Sequence, residues 1–479
     1  MATAFDEVMA VRGRGMPEAG EVRITGNDPV LSTEFKIGET CAAVLAGVGV
    51  AVSDIWELKT GRRQKAEVNV RHAAAGLRST DYLQRPGADG TFVPVVSESH
   101  RAMRHITQPW PTKDGRFVLP HFGLPNLKER MLKLLGCEPT PESVAKAVAR
   151  WNALDLEAAI DEARVCGGMV RTNAEWLATP HGQVLAKKPI VEVIKIGDSA
   201  PEPVGGREAG GPHPGRPLDG VRVLDLTRIL AGPVAARTLA EHGAEVLMVT
   251  AERLPQIAEH VIDTSHGKRS CFLDLKTSDD ASRLKALIRD ADVFSQGYRP
   301  GMLQGLGFGP EDLARLRPGI ICTSISCYGA DGPFSHHGGW EQVAQTMTGI
   351  CYDNRPEWPM LLPAAACDYT TGYLAAYGVL LALARRAREG GSYHVRVSLC
   401  QSGMFIYRQG KVSYDHPEMD LAPEEIDAIR IETRPKSGPL RHLGPILKLS
   451  ETPPRWARPT PVLGGDRPEW PAAARAAAE

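Results

Sequence analysis

Asp368 is a carboxylate whose surroundings suit chemistry. It lies in the stretch CDYTTGYLAAYGVL, which begins at Cys367 and continues as a mostly apolar run without proline. Two interpretations follow. Asp is a favoured N-cap residue, so Asp368 could cap a buried helix. A carboxylate is also a nucleophile that attacks an activated acyl group and forms a covalent intermediate. A helix N-terminus would keep this carboxylate ionised and offer N–H groups to a developing oxyanion.

Cysteine and histidine supply further candidates. Cys367 adjoins Asp368, so its thiol is either a nucleophilic or redox group or a small buried apolar side chain. His336 and His337 precede a Gly-Gly pair. A zinc site would require further His, Cys or carboxylate ligands at metal spacing, and the neighbouring sequence offers none. We therefore expect these two histidines on a loop surface, and no metal site.

Basic residues flank two predicted strands. Lys268 and Arg269 come just before the run CFLDL, and Arg299 comes just after DVFSQ. Arg and Lys are the usual partners of phosphate groups, although surface cations of this kind are also common. In the segment LDLTRILAGPVAA, the pair Gly232-Pro233 fits either a close approach of backbone to a ligand or a tight turn between a strand and a helix.

Strands alternate with helices after residue 217. This order predicts a parallel sheet covered on both faces, with ligands outside the carboxyl ends of its strands. The sequence lacks G-x-G-x-x-G after the first strand and lacks G-x-x-x-x-G-K-[ST] throughout, which removes the main support for the usual NAD and P-loop interpretations. The predicted strands are 221–226, 245–249, 271–275, 292–296 and 320–326; the predicted helices begin near Pro233, at Thr277 or Ser278, and at Pro310.

Composition limits the functional classes. The 479 residues indicate two or three folding units, and 56 basic against 57 acidic residues give no global signal for nucleic acid. We expect no signal peptide and no apolar run of about 18 residues that would span a membrane. Nine cysteines without C-x-x-C spacing favour a reducing compartment, hence a cytoplasmic protein.

A segment rich in Pro and Gly, residues 198–217, is expected to be a linker. It separates an N-terminal part, residues 1–197, from a large domain predicted over 218–410. Residues 411–479 are predicted to form a tail that packs back on the large domain.

The two parts are weakly similar to each other. With an offset of 329 positions, residues 38–52 align without a gap on 367–381, and Glu39 falls on Asp368. A second similarity pairs residues 188–203 with 444–456.

Taken together, five segments resemble the class III CoA-transferase family. They occur in family order through about 185 residues, and they are PLDGVRVLDLTRILAGPVAARTLAEHGAEVLMV, HGKRSCFLDLKT, YRPGMLQGLGFGPEDL, IICTSISCYGADGPF and CDYTTGYLAAYGVLLALARRAREGGSYHVRVSL. The resemblance implies an α/β fold with a doubly wound, Rossmann-like parallel sheet and a smaller α+β domain. It implies that Asp368 is a covalent nucleophile, that acyl-CoA and a carboxylic acid are the substrates, and that no further cofactor is needed. It implies CoA-binding roles for Thr227, Arg228, Ile229, Leu230, Lys268, Arg269, Arg299 and Met302.

The resemblance leaves two alternatives and several further expectations. Related racemases carry a Gly-His-Asp motif, but Trp340 stands here in place of the His, and an indole cannot take a proton at neutral pH. A CoA-thioester-binding protein or partner subunit without transfer activity is the other alternative. The family forms interlocked homodimers, so we expect a homodimer, while the duplication also fits a pseudo-dimeric monomer. The N-terminal part resembles the later portion of the family chain, and we expect Glu39 to be the relic of a second acid.

Overall fold

The computed structural model describes residues 3–206, 215–355, 357–413 and 419–471. Residues 207–214 of the predicted linker lie outside the described residues, and the predicted domain boundaries stay a prediction. The strands are β1 (Val22–Thr25), β2 (Ala66–Asn69), β3 (Gln84–Pro86), β4 (Phe92–Pro94), β5 (Trp110–Pro111), β6 (Phe117–Pro120), β7 (Gly167–Met169), β8 (Glu192–Gly197), β9 (Arg222–Leu226), β10 (Glu245–Thr250), β11 (Lys268–Phe272), β12 (Val293–Gln296), β13 (Ile321–Ser326), β14 (Ser392–Ser398), β15 (Arg430–Thr433), β16 (Leu440–Leu443) and β17 (Lys448–Leu449).

Helices surround these strands, and single 3-10 turns lie at Ser79–Tyr82 and Gln304–Leu306. The α-helices are α1 (Ala4–Arg12), α2 (Ile37–Thr60), α3 (Val70–Gly76), α4 (Glu98–Ile106), α5 (Pro125–Leu135), α6 (Pro141–Val148), α7 (Ala153–Glu162), α8 (Asn173–Ala178), α9 (Pro180–Ala186), α10 (Ala231–Glu241), α11 (Ala258–Thr264), α12 (Ser278–Arg289), α13 (Pro310–Leu316), α14 (Glu341–Thr348), α15 (Ile350–Asn354), α16 (Ala366–Glu389), α17 (Leu399–Arg408) and α18 (Pro423–Ile429).

A seven-stranded sheet forms the centre of the fold, in the order β11-β10-β9-β12-β13-β14-β8. The first six strands of this order are parallel, and β8 joins the β14 edge antiparallel. Numbered from β9 onward, the parallel strands run 3-2-1-4-5-6, which is a doubly wound order whose reversal point lies between β9 and β12. The expected doubly wound α/β fold is therefore confirmed.

Strand β9 shows why both faces of the sheet are covered. Val223 packs into the core that contains α10 and α16, while Leu224 and Leu226 pack into the core that contains α12 and α13. Alternate residues of a strand point to opposite faces, so a strand that buries both sets needs helices on both sides.

A smaller α+β unit comes from the N-terminal part. Strands β5, β6 and β7 form an antiparallel sheet, and α4 to α7 pack on it around a core that includes Trp110, Met131 and Leu156. A further antiparallel sheet, β15-β16-β3-β4, joins strands of the N-terminal part to strands of the tail.

The repeat seen in the sequence is present in the structure. Helices α2 and α16 each have 24 residues and pack against each other. Strand β1 is parallel to β2 and β17 antiparallel to it; likewise β13 is parallel to β14 and β8 antiparallel. Helix α3 follows β2 directly, as α17 follows β14. The N-terminal part thus repeats one edge of the large sheet.

Helix α2 corrects one expectation about apolar runs. Of the described helices, it alone is long and apolar enough to qualify as a membrane-spanning candidate, with an 18-residue window of mean hydropathy 1.6. That window is 89% buried inside the protein, and α2 packs mainly against α16, α3 and α1. A core helix meets the same criterion of length and composition.

Two element boundaries also differ from expectation. Helix α10 begins at Ala231, two residues before Pro233. Strand β11 runs over Lys268–Phe272, so it begins three residues before the predicted strand. The start of α12 was predicted correctly, because the Thr277 side chain accepts a hydrogen bond from the N–H of Asp280.

Candidate functional site

Asp368 lies in the first turn of α16, where its side chain is nearly buried, with 7% of the residue exposed. The helix starts at Ala366, and Ala365 is the N-cap residue without a side-chain cap. The prediction that Asp368 caps the helix is therefore wrong: it is the third helical residue.

Glu341 takes the capping role instead. Its carboxylate accepts hydrogen bonds from the backbone N–H groups of Cys367 (3.1 Å) and Asp368 (2.5 Å). Gln345 Nε2 donates to Glu341 Oε1 (2.6 Å), and the Leu362 N–H donates to Gln345 Oε1 (2.7 Å). These bonds fix the Glu341 side chain against the start of α16.

The same hydrogen bonds show that the expectation of free N–H groups for an oxyanion at this helix start is wrong. Three N–H groups in the first turn are already occupied, because those of Cys367 and Asp368 donate to Glu341 and that of Tyr369 donates to the Ala365 carbonyl. They are not available to a developing oxyanion at Asp368.

The two carboxyl groups also share an unusual electrostatic environment. Burial, and then the charge of Glu341, raise the pKa of Asp368 well above its usual range. Burial raises the pKa of Glu341 to about 7, although Gln345 and the backbone N–H groups oppose the shift. Two buried carboxylates side by side disfavour double ionisation, so each makes the ionisation of the other less favourable.

Asp368 separates two cavities, each of about 420 Å³. The strand-end cavity lies outside the carboxyl ends of β9, β12 and β13, where Thr227, Gly297 and Ser326 contribute to its wall. The histidine cavity lies between the N-terminal and C-terminal parts and is lined by His100, His121 and His260. The residues that line both cavities are Ile229, Leu230, Trp340 and Asp368.

Six of the predicted CoA-binding residues line the strand-end cavity, and Asp368 lines it with them. Arg130 and Arg164 of the N-terminal part add two cations to Arg228 and Arg299 of the large domain. Arginine clusters of this kind suit phosphate groups. The six are Thr227, Arg228, Ile229, Leu230, Arg299 and Met302.

The loop between β9 and α10 brings these residues to Asp368. The Thr227 N–H donates to Asp225 Oδ1 (3.0 Å), which turns the chain at the end of β9. A Cβ atom on Gly232 would lie 2.3 Å from Thr227 Cβ, so close approach requires glycine here. Ile229 has φ +74°, a left-handed conformation that is costly for a β-branched residue. Strain of this kind is concentrated at functional sites.

Lys268 and Arg269 do not line this cavity, contrary to prediction. Both belong to the amino end of β11, whereas ligands bind at the carboxyl ends of parallel strands. Lys268 is fully buried and its Nζ lies 2.8 Å from Asp225 Oδ2, so the ammonium group serves an internal ion pair. Arg269 donates to the Glu469 carbonyl and lies near Asp466 in the tail.

Other cations occupy the carboxyl edge instead. Arg253 follows β10 and Lys276 follows β11, and both are exposed. Arg253 forms a bidentate pair with Asp274 (2.7 and 2.8 Å). Their positions after the strands were the signal that could have identified them.

His121 and Trp340 form a stacked pair at the histidine cavity, with ring centroids 4.6 Å apart. The Gly123 N–H donates to His121 Nδ1 (3.0 Å), so Nε2 carries the proton and donates to Gln342 Oε1 (3.0 Å). Burial lowers the pKa of His121 to about 4, so the imidazole is neutral. Trp340 thus packs in the wall of the site.

Cys367 is fully buried beside Asp368. Burial raises the pKa of its thiol well above the usual range, and the two nearby carboxylates raise it further. A neutral thiol is a poor nucleophile, which favours the apolar interpretation.

Comparisons with known proteins identify the family of this chain. The model of a family described as CoA-transferase family III matches residues 218–425. The chain is 31% identical over 449 residues to the acetyl-coenzyme A transferase nodX of Hypoxylon pulicicidum, covering 85% of this chain and 75% of that protein. It is 33% identical over 420 residues to an acyl-CoA transferase of Gibberella moniliformis, covering 80% and 73%. It is 30% identical over 276 residues to the probable fatty acyl-CoA transferase Rv3272 of Mycobacterium tuberculosis, covering 53% and 70%.

Proposed function

Because this chain belongs to CoA-transferase family III and is an enzyme of acyl-CoA metabolism, we propose that it moves CoA from an acyl-CoA donor to a carboxylic acid through Asp368. The observation that carries the proposal is the position of the Asp368 carboxyl group in the wall between two cavities. The strand-end cavity is lined by four arginines, which suit the phosphates of CoA, whereas the histidine cavity is lined by two arginines and the acid Asp81.

The proposed reaction begins when the Asp368 carboxylate attacks the thioester carbonyl. The C–S bond breaks, CoA leaves as a thiolate, and a mixed anhydride joins the acyl group to Asp368. The thiolate then attacks the Asp368 carbonyl, which releases the donor acid and forms an aspartyl-CoA thioester. The acceptor carboxylate reverses these two steps, taking CoA and restoring Asp368.

Substrate placement follows from the lining residues. Arg228 and Arg299 would bind the phosphates of CoA in the strand-end cavity, with Thr227 and Ile229 close to the pantetheine end. The acyl group would extend past Trp340 into the histidine cavity, whose wall includes the neutral imidazole of His121 and the charged side chains of Arg78 and Arg104.

Asp368 must lose a proton before it attacks, since a neutral carboxyl group is a weak nucleophile. Burial and the charge of Glu341 raise the pKa of Asp368. The ionisation state of Glu341 therefore influences how much nucleophile is present at a given pH.

Trapping of the intermediate tests the proposal. The enzyme is incubated with a panel of acyl-CoA donors and hydroxylamine, digested, and mapped by mass spectrometry. A hydroxamate on Asp368 is expected with at least one donor, and the peptide that carries Glu39 serves as an internal control. Labelling that is equal on Glu39 and Asp368, or absent from Asp368 with every donor, contradicts the nucleophile assignment.

The raised pKa of Asp368 favours a second candidate function, a protein that binds CoA thioesters without transfer. The same experiment separates the two, because such a protein would bind acyl-CoA in calorimetry and yield no hydroxamate.

Assembly and location stay predictions. The family resemblance predicts a homodimer, and light scattering at several protein concentrations checks it. Cytoplasmic location is tested by fractionation of the source cells.

A further inference from the structure

A carboxylate and two imidazoles converge away from Asp368. Asp161 lies near the end of α7, and His336 and His337 lie in the segment before α14. Asp161 Oδ2 is 3.6 Å from His336 Nε2 and 3.2 Å from His337 Nε2. One ligand atom from each of the three residues lies within 4.8 Å of the other two.

The two distances from the carboxylate to the imidazoles are close to those of a tetrahedral metal site. Zn²⁺ binds His nitrogen and carboxylate oxygen at about 2.0–2.2 Å, which places two tetrahedral ligands roughly 3.3–3.5 Å apart. Two imidazoles and a carboxylate are a ligand set that divalent transition metals favour. Three protein ligands leave one position for water.

The ligands are partly held in place without a metal. The His337 side chain is 19% exposed; its ring stacks on Phe334 with centroids 4.9 Å apart and meets Tyr328 edge-on at 5.7 Å. Asp161 is half-buried on a helix, and His336 is largely exposed. Two ligands therefore start from restricted positions, and His336 can rotate to close the site.

We propose that Asp161, His336 and His337 bind one divalent transition-metal ion, for which Zn²⁺ is the best fit. The expectation of no metal site missed this cluster because Asp161 comes from the other part of the chain. The bound ion links α7 of the small α+β unit to the segment that precedes α14.

The segment that carries His337 also forms part of the wall of the strand-end cavity. The consecutive residues 337–340 all line that cavity. A Cβ atom on Gly338 would lie 2.4 Å from Arg299 Nη2, so the segment is in close contact with a cation of the cavity. A metal at His337 therefore restricts the position of residues beside Arg299.

Calorimetry on the full-length protein tests the site. The protein is stripped with EDTA, dialysed and titrated with ZnCl₂. One ion per chain is expected, and Asp161→Asn and His336→Ala are each expected to weaken binding at least tenfold. His105→Ala removes an exposed histidine elsewhere and is expected to change nothing. Equal Zn²⁺ affinity in wild type and both site variants, or no stoichiometric binding by wild type, overturns the proposal.

Two further readouts test the identity of the ligands: the absorption spectrum of bound Co²⁺ and the effect of Zn²⁺ on the Tm. Co²⁺ in the site should show d–d absorption without a thiolate charge-transfer band, whereas such a band would identify cysteine ligands and overturn the assignment. Zn²⁺ should also raise the Tm of wild type but not of Asp161→Asn, because only a ligand that binds the folded state stabilises it. Both readouts are independent of transferase activity, so their failure is distinguishable from failure of the proposed function.

Discussion

The starts of α16 and α2 are two versions of one arrangement. Each helix has an acid as its third residue, Asp368 in one and Glu39 in the other. Each is preceded by an N-cap residue of nearly the same conformation, φ −82° and ψ 58° at Ala365 against φ −75° and ψ 58° at Lys36. Asp28 accepts hydrogen bonds from the first N–H groups of α2, as Glu341 does for α16.

The surroundings of the two acids differ. The Asp368 residue is 7% exposed and lines two cavities. The Glu39 side chain is 34% exposed and lies 3.4 Å from Lys36 in an ion pair. Glu39 lines neither of these two cavities. A capped helix start thus positions an acid in both places, but only at Asp368 does burial between the two cavities and beside Glu341 raise the pKa of that acid.

The largest expected difference is in catalysis. Asp368→Asn should lower the transfer rate at least about 10³-fold, because the amide cannot form the mixed anhydride. Glu39→Gln should leave the rate within about twofold. Transfer is measured by chromatography of the acyl-CoA products, and CoA binding by calorimetry shows that Asp368→Asn is folded. A comparable loss of rate in Glu39→Gln would mean that both acids work.

The next contrast is between Glu341 and Asp28, in their effects on the pH dependence of the transfer rate. Transfer should rise with pH as Asp368 ionises, and Glu341→Gln should move this rise to lower pH, because the charge that raises the pKa of Asp368 is removed. Asp28→Asn should leave the profile where it is. The profile of kcat/KM against pH is the measurement, and an unmoved profile in Glu341→Gln would contradict the coupling.

The raised pKa of Glu341 also makes the free energy of unfolding depend on pH. Its pKa is about 7 in the folded protein and close to 4 when unfolded. Between these values the folded state holds a proton that the unfolded chain has released, so stability falls as pH rises from about 4 to 7. Glu341→Gln should flatten this slope in denaturant unfolding.

The helix-to-strand packing at Gly49 and at Gly378 should be similar, because these positions correspond in the repeat. A Cβ atom on Gly49 would lie 2.7 Å from Ala66 Cβ, and one on Gly378 would lie 2.6 Å from Val395 Cγ1, at the corresponding place in the repeat. Gly49→Ala and Gly378→Ala should each destabilise the protein by about 1–3 kcal/mol, since overpacking outweighs the better helix propensity of alanine. Urea unfolding measures both. A stabilised variant would show that the helix can move away from the strand beside it.

The smallest effect is expected from the cap of α2. Asp28→Ala removes the acceptor for the N–H groups of Gly38 and Glu39, which should cost about 1 kcal/mol. Transfer activity should be unchanged. Thermal unfolding and the transfer assay together check this, and a loss of activity would connect α2 to the catalytic site.

Local patterns predicted the local parts of the site. Local motifs identified Asp368 and the loop after β9 as candidates, and the family resemblance implied that Thr227–Leu230 bind CoA; these residues line one cavity in the structure. Lys268 was misplaced because its partner Asp225 lies 43 positions away, and nothing local shows that a lysine is buried in a strand. The same reason hides the contact between Glu341 and the start of α16, 27 positions further on.

Contacts between the two parts were beyond sequence reasoning altogether. The offset of 329 positions showed that α2 and α16 are alike, but similarity does not show that two helices pack together. Likewise Asp161 meets His336 and His337 only through the arrangement of the small α+β unit against the large domain. Such contacts depend on tertiary packing.

The pairing of α2 with α16 has a consequence for synthesis of the chain. Translation at about 5–20 residues per second separates Gly49 from Gly378 by roughly 15 to 65 s. During that interval the apolar helix α2 has been synthesised, but its packing partner α16 has not. Strand β17, which pairs with β2, is synthesised later still. Until residues 366–389 have been synthesised, the face of α2 that packs on α16 has no partner from that helix.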